Sequence, residues 1–179
     1  GFYGQALKVF EELSKEIATK LKAYPAAIDE KKEAKKHEER EQFRKDYLQA
    51  ELLTAATREE MAETYEAGVK DRNTALEAAA KEYGEIYDKY RTRLAGLYAR
   101  MYQGRCLQKL GKHKDALGYF TELLTNPDNE PPFRTLRVKV SEMAIDSWID
   151  QKLYLEVIDK SKDKRPAQLV DSARPAEDK

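Results

Sequence analysis

The sequence predicts an all-α fold, on the evidence of its composition, its apolar periodicity and its few helix breakers. Ala, Leu, Glu, Lys, Arg and Gln, all good helix formers, dominate the 179 residues. Apolar residues recur at steps of three and four, the spacing of one helix face, and no long segment alternates with the period of a strand. The eight glycines and six prolines lie mainly between these periodic segments. We therefore expect amphipathic helices joined by turns.

The first half of the chain predicts helices of unequal length. Residues 4–23 form the first helix, and Pro25 ends it. The stretch 29–46 carries seven basic and seven acidic residues, which predicts a solvated helix face rather than a basic binding patch. The apolar stripe resumes at Phe43 and predicts one long helix that ends at about residue 67.

Two capping signals bear on the helix boundaries in this half. A capping box that begins at Thr57 allows residues 26–67 to hold two helices instead of one. We favour the single long helix, with Gly68 as its stop. A second capping box begins at Thr74 and predicts the start of a further helix, which runs to about Tyr90.

The second half predicts four further helices in close succession. Gly111 separates the first two, and Pro132 stands in the first turn of the third, where its missing N–H costs nothing. From Lys162 the chain is polar, which predicts a frayed tail or the start of a missing repeat. The expected helices cover about residues 94–110, 113–125, 132–150 and 153–161, with a loop over 126–132.

The segment 97–126 shows small and large residues at the intervals of a packed helix pair. Gly104 and Ala116 stand where two helices approach closely, and Phe120 is one of the large residues that fill the groove beside them. The sequence GRCLQKLGKHKDALGYFTELL carries this pattern and resembles a tetratricopeptide (TPR) repeat. Arg100 departs from the repeat pattern, because a large aromatic residue is usual at its position.

Weaker copies of the pattern lie on both sides of this repeat. The resemblance implies antiparallel helix pairs stacked as a right-handed solenoid, with one or more unusually long helices. It also implies a single TPR-like domain over residues 1–161, followed by a polar segment over 162–179. The chain starts at Gly1 without a methionine, so we expect a processed protein or a fragment of a longer array. The residues in the role of Ala116 are Ala6, Ala79 and Val157.

Composition and motif content argue against several functions. Lys plus Arg and Asp plus Glu each number 33, so bulk charge gives no support for nucleic-acid or acidic-membrane binding. No apolar run approaches the roughly 20 residues of a transmembrane helix, so we expect no membrane insertion. The chain has no Cys-x-x-Cys or His-x-x-x-His pair and no phosphate-binding glycine loop. We therefore predict no metal, no cofactor and no enzymatic activity.

Residues that could carry chemistry have simpler structural interpretations. Cys106 is the single cysteine and falls where the repeat places a small apolar residue, so we expect it to be buried. Trp148 lies on an apolar stripe and is expected in the core. His37 and His113 are expected at the surface. Solvated helix faces are expected for two carboxylate pairs, Glu59 with Glu60 and Asp146 with Asp150.

The resemblance predicts a binding surface on the first helix of the repeat, because the first helices of TPR arrays line a concave face. The matching positions in this chain are Tyr98, Met101, Arg105, Gln108 and Lys109. Arg105 and Lys109 are four residues apart and project together, which suits an acidic peptide or a C-terminal carboxylate. The expected function is a protein- or peptide-binding scaffold or adaptor.

The alternative is a purely structural repeat module of a larger protein, with no ligand in the groove. The matching positions of the next first helix include Glu142, Asp146 and Asp150. In this interpretation Arg105 and Lys109 pair with those acids and tie neighbouring helices together.

Overall fold

The computed structural model describes residues 1–125 and 131–150, and every regular element in these ranges is an α-helix. The all-α prediction is therefore confirmed. The helix predicted at 153–161 and the segment 162–179 lie outside the described residues. The helices are α1 (Phe2–Lys22), α2 (Ala34–Ala62), α3 (Lys70–Tyr90), α4 (Leu94–Lys109), α5 (His113–Leu124) and α6 (Pro131–Asp150).

The chain divides into two compact units, Gly1–Glu82 and Tyr83–Lys179, with the boundary inside α3. In the first unit α1 packs against α2. In the second unit α4 packs against α5, and α6 packs against both of them. The single domain over residues 1–161 stays a prediction.

α2 is one long helix that continues through Thr57, as favoured, so the alternative of a new helix starting there is wrong. The Thr57 hydroxyl donates to the Leu53 carbonyl at 2.7 Å, a bond to the preceding helical turn. The helix ends at Ala62, earlier than predicted. At that end the Thr64 N–H and the Thr64 hydroxyl both donate to the Met61 carbonyl, which closes the last turn.

The capping box predicted at Thr74 is also wrong. α3 already begins at Lys70, and the Thr74 hydroxyl donates to the Lys70 carbonyl at 3.0 Å inside the helix. Gly68 has a φ of +83° and Gly111 a φ of +74°, a region that glycine enters at little steric cost. Gly68 therefore lies in the turn before α3, and Gly111 ends α4 as predicted.

Arg40 is an exception to the solvated face predicted for residues 29–46. Its side chain is buried, and its Nη1 donates to the carbonyls of Pro25 and Ala26 at 3.2 Å each. Both carbonyls belong to the connection between α1 and α2. The buried guanidinium thus supplies hydrogen bonds to a backbone segment that has left the helix.

Arg58 joins three helices of the first unit. From α2, its Nη2 lies 2.5 Å from a Glu11 carboxylate oxygen on α1, and its Nε lies 2.6 Å from Glu82 on α3. All three side chains are partly buried, so water screens these ion pairs less than it screens pairs on an open surface.

Replacing Arg58 with methionine is expected to lower the free energy of unfolding by about 1.5–3 kcal/mol, the range for hydrogen bonds to charged groups. Lys8→Met is the matched control, because the Lys8–Glu12 pair spans 3.9 Å and its side chains are 77% and 60% exposed. The control is expected to cost less than about 0.5 kcal/mol. Urea denaturation followed by circular dichroism measures both, and equal losses contradict the account.

α4 and α5 approach each other at a glycine in the second unit. A Cβ atom on Gly104 would lie 2.5 Å from the ring of Phe120, so only glycine fits at this crossing without a shift. Phe120 and Ala116 are fully buried. The close approach predicted at Gly104 is confirmed, and so is the core position of Trp148. The buried cluster comprises Leu97, Met101, Ala116, Phe120, Leu123, Leu136, Val140, Ala144 and Trp148.

Candidate ligand-binding face

One side of α4 carries a row of two tyrosines and two basic residues. The row has the spacing i, i+4, i+7 and i+11, so at 100° per residue its members fall within roughly 60° of the helix circumference. Gly104, which contacts Phe120 of α5, lies more than about 100° away from this row by the same rule. The row therefore faces away from α5. Its members are Tyr98, Tyr102, Arg105 and Lys109.

α6 lies beside α4 and adds a second row. The Lys139 ammonium lies 5.6 Å from the centre of the Tyr98 ring, and Gln108 Nε2 donates to the Met143 carbonyl at 3.4 Å. The two contacts occur in the same order along both helices, as expected for helices that run in the same direction. We call the two rows together the α4–α6 face. Its α6 row consists of the exposed residues Thr135, Lys139, Glu142, Asp146 and Asp150.

The five predicted lining residues occupy three different environments. Tyr98, Arg105 and Lys109 lie on the α4–α6 face. Met101 is 1% exposed and belongs to the core, so it is a packing residue. Gln108 turns toward α6 and bonds its backbone. The helical period explains the difference, because Met101 and Gln108 are rotated from the Tyr98 row toward the packed side of α4.

Tyr102 completes the face and is missing from the predicted lining residues. Its ring centre lies 6.3 Å from that of Tyr98 and 5.4 Å from that of Tyr83. The Arg105 guanidinium carbon lies 4.5 Å from the centre of the Tyr102 ring, a cation–π distance. The i+4 spacing from Tyr98 is the sequence signal that identifies Tyr102 as a member of the row.

The charges of the α4–α6 face are unevenly placed. Lys139 stands beside Tyr98, near the N-terminal end of α4. The acids of α6 follow Lys139 in the chain, and Asp146 and Asp150 are exposed as predicted. Because Gln108 contacts Met143, the neighbouring Lys109 lies at the acidic end of the α6 row. One end of the face is thus aromatic and basic, and the other end carries both signs of charge.

The opposite side of α4 carries Arg100, at the position where the repeat pattern has a large aromatic residue. Its guanidinium carbon lies 3.7 Å from the ring centre of Tyr119 and 4.6 Å from that of Tyr87. Its Nε and Nη2 lie 2.9 and 2.5 Å from one oxygen of Glu122. The Tyr87 hydroxyl donates to the other Glu122 oxygen at 2.6 Å. The planar guanidinium thus packs between two rings, as an aromatic side chain does, while its edge holds a carboxylate.

We call Arg100, Tyr87, Tyr119 and Glu122 the Arg100 latch. The contacts within it shift two pKa values. Burial raises the pKa of the Tyr87 hydroxyl, and the hydrogen bond to Glu122 and the Glu122 charge raise it further. Burial acts to raise the pKa of Glu122 as well. The hydrogen bonds from Tyr87 and Arg100, with the Arg100 charge, outweigh burial, so the Glu122 pKa is lowered. At neutral pH the latch therefore holds an ionised Glu122 and a neutral Tyr87.

The sequence predicts the exposure of four other residues with unequal success. Cys106 is fully buried, as predicted. The prediction that Glu59 is solvated is wrong, since it is 1% exposed. It lies four residues after Ala55 and three before Ala62, both fully buried, and so shares their helix face. His37 and His113 are both partly buried rather than fully at the surface.

Metal-binding and membrane-spanning features are absent from residues 1–125 and 131–150. In these ranges no group of three or more His, Cys, Asp or Glu side chains is placed to hold a metal ion. No helix in the same part of the chain is long and apolar enough to cross a membrane.

Comparison with known proteins gives no relative for this chain. No protein-family model matches it, and no match is found among curated proteins or solved structures. The fold defines the chain as an all-α helical protein.

Proposed function

We propose that this chain is a protein- or peptide-binding adaptor built from TPR-like helical repeats, and that its ligand lies on the α4–α6 face. In this proposal α4 and α5 are the first and second helices of one repeat, and α6 is the first helix of the next. Neighbouring first helices of such arrays lie side by side and form an extended concave surface. The observation that carries the proposal is the row of Tyr98, Tyr102, Arg105 and Lys109 on the side of α4 opposite to α5.

The residue types of the row support a binding role. Tyrosine and arginine are enriched in protein interfaces, because each offers a large contact area together with hydrogen-bonding groups. Three partly buried side chains of these types, Tyr98, Tyr102 and Arg105, follow one another along a single helix face. Lys139 extends the basic character of the row onto α6. An acidic segment of a partner is the ligand that this arrangement favours.

A structural module is the second candidate, and the α6 row supports it. Glu142, Asp146 and Asp150 are exposed on the same face as the basic residues of α4. In this alternative the charges stabilise the contact between α4 and α6 and bind no partner. The two candidates differ in whether charge reversal on α4 changes binding or only stability.

Affinity capture from a lysate of the source cells tests the proposed function. The chain and its Arg105→Glu, Lys109→Glu variant serve as baits, with circular dichroism to show that both are folded. Lys15→Glu, Lys22→Glu is the control, because it makes the same change of charge at two exposed positions of α1. We expect a partner retained by the chain and by the control and lost by the variant. Identical captures with all three baits favour the structural module.

A further inference from the structure

We infer that helix α1 pairs with the α1 of a second copy of this chain, with the two helices running in opposite directions. The surface is a row of four apolar side chains on α1, which we call the α1 row: Phe2, Ala6, Val9 and Leu13. The inference goes beyond the proposed function and does not depend on it, because the α1 row and the α4–α6 face belong to different units.

The α1 row is apolar surface that the chain itself leaves uncovered. Phe2 is 79% exposed, Val9 59% and Leu13 42%, and Ala6 is half-buried. At 100° per residue the four side chains fall within roughly 60° of the helix circumference, so they form one continuous strip. A single exposed apolar residue is common at a protein surface, whereas a strip of them marks a site of association.

The spacing of the α1 row fits a second copy of the same row. Its steps of four, three and four residues read the same in both directions. In an antiparallel pair, Phe2 therefore lies against Leu13 of the second copy and Ala6 against its Val9, and the same two contacts recur with the copies exchanged. An interface between identical surfaces requires this reciprocity. The alternation of steps of three and four is also the spacing that keeps two helices in contact along a seam.

The charges that follow the α1 row favour the antiparallel direction. Glu16 and Lys20 continue the same face of α1 beyond Leu13. In a parallel pair each residue meets its own counterpart, so Glu16 would face Glu16 and Lys20 would face Lys20, and both contacts are repulsive. In the antiparallel pair both residues fall outside the paired stretch of residues 2–13.

Polar residues beside the α1 row also match in the antiparallel direction. Gln5 and Glu12 flank the row on one side, seven residues apart. In the pair, Gln5 of each copy lies within about two residues of the level of Glu12 of the other, so its amide can donate to that carboxylate. The Glu12–Lys8 pair within one copy spans 3.9 Å at the exposed surface and is compatible with this bond.

The paired stretch is short, which predicts a weak dimer. Residues 2–13 cover about 16 Å of helix, and two such strips bury less than the roughly 1,200 Å² at which specific, stable interfaces begin. We therefore expect the chain to be mainly monomeric at about 1 μM and mainly dimeric at about 1 mM.

Sedimentation equilibrium of the whole chain over this concentration range tests the pairing. We expect the average mass to rise from that of one chain toward that of two. Val9→Glu places a charge in the centre of the α1 row, and we expect it to raise the dissociation constant of the dimer about tenfold or more. Val138→Glu is the matched control, because it makes the same change at a valine of α6 that is 39% exposed. The control is expected to change the dissociation constant less than about threefold.

Disulfide formation between introduced cysteines tests the direction. Chains carrying Phe2→Cys and chains carrying Leu13→Cys are mixed in equal amounts and oxidised with diamide. The unsubstituted chain, whose single Cys106 is buried, is the blank. The antiparallel pair brings position 2 of one copy to position 13 of the other, and it separates two equal positions by roughly 16 Å along the helix, beyond the reach of a disulfide. We therefore expect mass spectrometry to show the mixed disulfide between the two variants as the main crosslinked product.

Three results overturn the inference. A chain that stays monomeric at about 1 mM, while circular dichroism shows it to be folded, has no second copy on the α1 row. A dimer that Val9→Glu and Val138→Glu weaken equally uses a different surface. Disulfides between equal positions as the main product show that the direction is wrong. None of these results bears on the capture experiment, which tests the α4–α6 face separately.

Discussion

Replacing Phe120 with alanine is expected to lower the free energy of unfolding by about 3–5 kcal/mol. Phe120 is fully buried in the cluster of the second unit, and its ring fills the space that Gly104 leaves open. The variant loses the burial of the ring and leaves a cavity between α4 and α5. Trp148, the single tryptophan, lies in the same cluster, so its fluorescence during urea denaturation reports on this unit.

Gly104→Ala tests the same contact from the other helix. The added methyl group meets the Phe120 ring, and the expected overpacking cost of about 1–3 kcal/mol outweighs the gain of about 0.5–1 kcal/mol in helix propensity. Gly118→Ala is the matched control on α5, because nothing lies within 4 Å of its added Cβ. The control is expected to gain up to about 1 kcal/mol. If both alanines stabilise the chain equally, the close approach of α4 and α5 is wrong.

Replacing Arg100 with methionine is expected to cost about 2–3 kcal/mol, because the change removes hydrogen bonds to a charged partner and two cation–π contacts. Arg100→Phe places an aromatic ring at this position. If stacking between Tyr87 and Tyr119 stabilises the unit, Arg100→Phe is expected to lower the free energy of unfolding less than Arg100→Met does. A double-mutant cycle with Glu122→Gln measures the coupling across the pair. A coupling energy near zero would show that the Arg100 latch does not stabilise the unit.

The Arg100 latch also predicts a dependence of stability on pH. The Glu122 pKa is lowered from 4.5 in the folded chain. The carboxylate therefore adds to the free energy of unfolding above the pKa of the unfolded state, and this contribution is lost as pH falls through the pKa of the folded state. The Tyr87 pKa is raised from 10.0 in the folded chain. The neutral hydroxyl therefore adds to the free energy of unfolding below the pKa of the unfolded state, and this contribution is lost as pH rises through the pKa of the folded state. The free energy of unfolding is measured against pH by urea denaturation followed through Trp148 fluorescence. We expect Glu122→Gln to flatten the acid side of this profile. An unchanged acid side contradicts the assignment.

The helices could be predicted from the sequence because their apolar spacing is local. Predictions of helix ends were less accurate, because threonine acts both as a cap and inside a helix. Thr57 and Thr74 follow the spacing of a capping box, yet both hydroxyls bond the carbonyl four residues earlier. The choice depends on whether the preceding residues are helical, which the motif itself does not encode.

The buried charged residues mark where local patterns stop predicting structure. Arg40 and Arg58 look like solvated residues in a charged helix, and their partners lie on other elements or in a connecting segment. Arg100 is recognised as a departure from the repeat pattern, but its role depends on Glu122, 22 residues later. Met101 shows the same limit at the candidate site, because a repeat position does not by itself separate a lining residue from a core residue.

The most direct test of the binding proposal is site-specific photo-crosslinking in a lysate of the source cells. A photoreactive phenylalanine derivative replaces Tyr102 on the α4–α6 face in one sample and the exposed Thr121 of α5 in another. We expect a crosslinked partner from position 102 and none from position 121. A partner crosslinked from position 121 alone, or from neither position, would contradict the assignment of this face as the binding site.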